Sequence, residues 1–107
     1  MRFLMFVTVD PDLVGTVAED PTAWVGETTA KGQRLQGDRL RPVSDATTLW
    51  PKEGGGTFVS DGPFAETKEQ IAGYDIIECA DLDEAVEVAA KHPVAKFGAI
   101  ELRPVWP

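Results

Sequence analysis

The opening segment Arg2 to Val9 is apolar on both of its alternating sets, Phe3, Met5, Val7 and Val9 against Leu4 and Phe6, which predicts a strand covered on both faces. Asp10-Pro11-Asp12 ends it, because proline cannot continue a central ladder and aspartate favours turns. From about Thr22 to Leu35 the pattern predicts a helix, with Asp20 as its cap, Pro21 in the first position, and Trp24, Thr28 and Lys31 at helical spacing. Gly26, Thr28, Thr29 and Gly32 lower its intrinsic propensity, so packing must hold it. Strand pieces follow over Leu40 to Trp50 and at Thr57-Phe58-Val59, joined by Pro51-Lys52-Glu53-Gly54-Gly55-Gly56. Those glycines lack the following lysine and hydroxyl of a nucleotide-binding loop and read as a hairpin turn.

Gly73 to Ala80 predicts an interior strand through Tyr74, Ile76, Ile77 and Cys79. The next helix is the clearest element. Asp81 caps it, Glu84 completes a capping box, Leu82, Ala85, Val86 and Ala89 form the apolar stripe, and Pro93 stops it after His92. Gly98 to Val105 is the last strand, with Ile100 and Leu102 on one face and Glu101 and Arg103 on the other. The order strand, helix, strands, strand, helix, strand is that of an α+β ferredoxin-like sandwich with an extra β-hairpin, both helices on one face. The open face of such a sheet exposes apolar residues of the first strand, so a second copy related by a two-fold axis is expected to cover it.

At 107 residues, 43% hydrophobic and 26% charged, the chain fits one globular domain spanning residues 1–107. A formal net charge of -8 argues against nucleic acid, whose binding needs a concentrated basic surface. Cys79 is the one cysteine, which leaves no intramolecular disulfide and no cysteine cluster for zinc, and fits a cytoplasmic protein. The apolar start ends at Thr8 without a small-residue cleavage site, and no run approaches the ~20 residues of a membrane span, so a soluble protein without membrane contact is expected.

Chemistry concentrates in Asp61-Gly62-Pro63-Phe64-Ala65-Glu66-Thr67-Lys68-Glu69, where turn formers precede a dense set of charges beside one aromatic. Asp61 suits a bond to the backbone two residues on, and Pro63 fixes its own backbone angle. Phe64, Glu66, Lys68 and Glu69 suit one wall of a polar ligand pocket, and Lys68 and Glu69 equally suit a solvated loop. Cys79 reads as quietly buried, and Trp24, Trp50 and Trp106 as core or interface. No metal-ligand spacing is present, and no cofactor is implied.

The stretch from Asp61 to Gln70, with Gly73-Tyr74, Asp81-Leu82-Asp83-Glu84-Ala85, His92-Pro93 and Glu101-Leu102-Arg103-Pro104, closely resembles the DGPF group of the YCII-related proteins. The resemblance covers nearly the whole chain and matches the first helix least. It implies a dimeric α+β barrel of ferredoxin-like units from a bacterium, in a family often encoded beside or fused to extracytoplasmic-function sigma factors. Wider relatives look like small-molecule lyases or dehydrochlorinases using a histidine of the first helix and an aspartate before the proline after the second. This chain places Glu27 and His92 at those two positions. Two readings follow: Glu27 and His92 form an exchanged acid-base pair, with Asp61 a further candidate, or His92 caps the helix C-terminus as a cation and catalysis is lost. The corresponding functions are a small-molecule enzyme doing acid-base chemistry in a cleft, and a non-catalytic ligand-binding or regulatory module linked to a sigma factor, as gene neighbour or partner.

Overall fold

A computed structural model describes residues 1–13 and 20–107 and shows an α+β, ferredoxin-like fold. Four strands form one antiparallel sheet: β1 (Arg2–Val9), β2 (Arg34–Arg39), β5 (Gln70–Glu78) and β6 (Ala99–Pro104), in the order β2-β5-β1-β6. Strands β3 (Thr47–Pro51) and β4 (Thr57–Asp61) pair separately as the expected hairpin. Its tip needs left-handed backbone at Gly54, Gly55 and Gly56, which only glycine adopts without strain. Helices α1 (Thr22–Ala30) and α2 (Leu82–Ala90) pack on one face of the sheet.

The alternation in β1 decides what that face buries. Phe3, Met5, Val7 and Val9 are buried against the helices with Ile77, Cys79, Trp24, Ala85, Val88 and Ala89. Phe6 and Leu4 lie on the other face, opposite Tyr74 and Ile76 of β5 and Glu101 and Arg103 of β6, and are only partly buried. Ile100 and Leu102 turn to the helices, as their spacing requires.

Two boundaries differ from the sequence reading. The first helix ends at Ala30, not Leu35, because Gly32 takes a left-handed backbone (φ 72°) and the chain then pairs along β5. The third element is therefore a strand at Arg34–Arg39, and residues 40–46 are a loop with one 3-10 turn, Val43–Asp45, rather than strand. Trp24 holds the short α1: it is buried, and its indole Nε1 donates to Val88 O of α2 at 2.9 Å. Helix α2 starts as expected, with Glu84 N donating to Asp81 Oδ1 at 2.9 Å. The Glu84 carboxylate reaches back one residue further than predicted, accepting from Ala80 N at 2.6 Å. Asp81→Ala removes the cap acceptor and is expected to cost about 1 kcal/mol in urea unfolding, with the far-ultraviolet spectrum unchanged.

Candidate functional site

Two irregular pairings shape a cavity between the sheet and the helix layer. In β2 the register shifts between Arg34 and Gln36, so Leu35 is the extra residue of a bulge. The bulge sets Gly37, not Gln36, opposite Asp75. In β5 a second shift makes Ala72 extra, between the pairs Val7 with Gly73 and Thr8 with Ile71. Both shifts border a cavity of about 510 Å³. Val7, Val9, Trp24, Val25, Ala72 and Val94 form its apolar wall, and Arg34, Asp38, Arg39, Tyr74, Asp75 and His92 are the polar residues of its lining.

Asp75 belongs to the same alternating set as Ile77 and Cys79, so the strand that buries those two carries a carboxylate inward with them. It is 6% exposed. Its Oδ1 accepts from Arg34 Nε at 2.7 Å, and among the described residues its second oxygen has no partner. Burial raises the Asp75 pKa above the ordinary carboxylate value, outweighing the lowering by the Arg34 hydrogen bond and charge. Gly37 makes this packing feasible. A methyl there would overlap the Asp75 carboxylate and lie 2.6 Å from Tyr74 O and 2.7 Å from Arg34 Nη2.

His92, 7% exposed, also lines the cavity, with its ring edge-on to Trp24 at 4.8 Å between centroids. Its Nδ1 accepts from Val94 N at 3.1 Å and so caps the 3-10 turn Pro93–Lys96. That role differs from the expected cationic cap of α2, because an accepting nitrogen requires the neutral ring. Burial lowers its pKa in the same direction. With Nδ1 occupied, the neutral imidazole carries its proton on Nε2 and offers a donor.

The other predicted site residues lie elsewhere. Glu27 borders a small depression of about 130 Å³ between the helices and pairs with Lys31 at 3.0 Å, which lowers its pKa through the hydrogen bond and the charge. Asp61 ends β4, outside the His92 cavity. Its turn is held by backbone, with Gly62 N donating to Ala46 O at 2.7 Å and Thr48 Oγ1 donating to Gly62 O at 2.8 Å. Gly62 has a φ of 99°, which a side chain resists. Phe64 is 76% exposed and stacks on Trp50 at 5.4 Å, which in turn stacks on Phe58 at 6.3 Å. Phe64 and Glu69 border a second, open groove of about 710 Å³, whose lining excludes Glu66 and Lys68.

Cys79 is buried, as expected, and its thiol is pushed up to about 11, chiefly by burial. Among the described residues no group of three His, Cys, Asp or Glu side chains gathers as a metal site, and no helix is long and apolar enough to cross a membrane. Asp75 and Arg34 were missed by the sequence reading. A carboxylate in the buried set of β5 was the available signal for the first. The second depends on a contact across 41 positions in the chain.

Comparison with known proteins places the molecule. The model of the YCII-related domain matches residues 1–107, and the chain belongs to this family. An uncharacterised protein of Rhizobium meliloti (strain 1021) is 48% identical over 69 residues, which cover 63% of this chain and 55% of the relative. The chain thus spans a little over half the length of the curated relative it matches.

Proposed function

We propose that this YCII-related chain is a small-molecule enzyme whose acid-base chemistry takes place in the cavity between β2, β5 and the helices, with Asp75 as the proton-transfer group. The carrying observation is a buried carboxylate with one oxygen held by Arg34 and the other unpartnered among the described residues, on the wall of a largely apolar cavity. Burial moves its pKa toward the range where a carboxyl group can both take and return a proton. His92 supplies a donor from its Nε2 to a substrate oxygen. His92 is retained from the sequence-derived set, while Glu27 and Asp61, which do not line the cavity, contribute no step. A second copy seated on the open sheet face, over Leu4, Phe6 and Ile76, completes the particle.

A second reading, a ligand-binding module without turnover, is favoured by one feature. The Nδ1 lone pair that His92 would use as a base is already bonded to Val94 N. Both readings need an occupied cavity. Equilibrium dialysis of the purified chain against a defined mixture of small metabolites, read by mass spectrometry, is expected to show a retained compound. Ala72→Phe fills the cavity from β5 and is expected to weaken retention tenfold or more, with the circular dichroism preserved. Equal retention by the variant would place the ligand elsewhere. Chemical change in the retained compound separates the enzyme from the module.

A further inference from the structure

We infer that the cavity accepts a small monocarboxylate with an apolar body, its carboxylate paired with Arg39 and its body lying against Trp24, Val25 and Val94; this rests on the proposed cavity function. The first support is the position of Arg39. It pairs with Gly73 just as Gly37 pairs with Asp75, so Arg39 and Gly37 share the helix-facing side of β2. Arg39 is itself part of the cavity lining, next to Gly73 and the Asp75–Arg34 pair that fills the space beside Gly37.

The second support is that Arg39 has no side-chain hydrogen bond or ion pair among the described residues, whereas Arg2, Arg34, Arg41 and Arg103 each have a carboxylate partner. In a chain of net charge -8, an arginine that lines a cavity without an acidic partner is a site for an external anion. Asp38, its neighbour, belongs to the same lining but makes no ion pair with it. Asp38 pairs with Tyr74 on the open face of the sheet, where the Tyr74 hydroxyl lies 3.4 Å from its Oδ2.

Charge counting selects the class of anion. The cavity lining holds two cations, Arg34 and Arg39, two carboxylates, Asp38 and Asp75, and neutral His92, and the charge of Asp38 reaches Asp75. A monoanion adds one negative charge beside these two carboxylates, whereas a dianion such as a phosphate monoester adds two. A planar carboxylate also matches the fork of a guanidinium, and the walls formed by Val7, Val9, Trp24, Val25 and Val94 suit an apolar remainder.

The test follows the indole N–H of Trp24 in the nitrogen-15-labelled chain during titration with benzoate, benzamide, cyclohexanecarboxylate, its amide, and phenyl phosphate. Each acid is expected to bind at least about tenfold more tightly than its amide, and benzoate more tightly than phenyl phosphate. In Arg39→Gln the acids are expected to fall to the affinity of the amides, whose binding is unchanged. Arg39 is exposed, so the variant leaves the core packing intact. Equal binding of acid and amide, tighter binding of phenyl phosphate, or a preference that survives in Arg39→Gln overturns the carboxylate inference while the cavity function stands. Absence of a saturable Trp24 shift with every probe overturns both.

Discussion

Arg34→Ala is expected to lose about 3 kcal/mol of stability at pH 7 in urea unfolding, and to recover much of it as the pH is lowered toward 4. Removing one partner of a buried ion pair leaves the other charge uncompensated in a poor solvent. The Asp75 side chain is 8% exposed and that of Arg34 17%, so water reaching the cavity keeps the loss at the lower end for such pairs. The pH dependence follows from the direction of the Asp75 shift. Its folded pKa is raised above the unfolded value, so the folded protein holds the proton more readily than the unfolded chain. The stability contributed by that preference is fully present below about pH 4 and is lost as pH rises through the raised folded value. Deleting Arg34 removes both influences that lower the pKa, which moves the folded value further upward and widens the window of loss. The double variant Arg34→Ala, Asp75→Asn carries no titrating group at this position and is expected to show no such recovery. A loss that is equal at both pH values would mean that Asp75 is not a desolvated carboxylate.

Asp75→Asn has the largest expected effect on function and a smaller one on stability. The amide is close in shape to the carboxylate, fits beside Gly37, and can still accept from Arg34 Nε through its oxygen. It cannot take a proton at neutral pH. A positioned acid-base group contributes roughly a hundredfold or more to a proton-transfer step, so turnover is expected to fall by at least about a hundredfold while the unfolding midpoint shifts little. Arg39 and the apolar wall remain in place, so ligand affinity is expected to change far less than turnover.

The parts of the fold legible in the sequence were those in which local chemistry and tertiary packing agree. The apolar run of β1 faces a core on one side and the open sheet face on the other, and Asp81 with Glu84 caps α2 through contacts within four residues. The second strand was hidden because Arg34-Leu35-Gln36-Gly37-Asp38-Arg39 is a polar edge segment whose bulge breaks the two-residue alternation. Pairing with β5, not propensity, makes it a strand. His92 was singled out because it stands where the wider relatives carry an aspartate before the proline that follows the second helix. Its partner was not, because the bond to Val94 N depends on the 3-10 turn that follows. The pairing of Glu27 with His92 failed to emerge because Glu27 faces Lys31 on its own helix, one turn away. The cavity itself arises from two bulges and a glycine opposite an aspartate, which only the register of three strands brings together.

The most direct measurement of the proposed chemistry is deuterium uptake from heavy water. Small carboxylic acids with an acidic carbon-hydrogen bond are incubated with the wild-type chain and with Asp75→Asn, and mass gain is followed by mass spectrometry. The expected result is enzyme-dependent incorporation into at least one compound, reduced about a hundredfold or more in Asp75→Asn at equal protein concentration and fold content. Incorporation that proceeds equally in the variant, or that the wild type fails to raise above the protein-free control for any compound it binds, would contradict Asp75 as the proton-transfer group of this cavity.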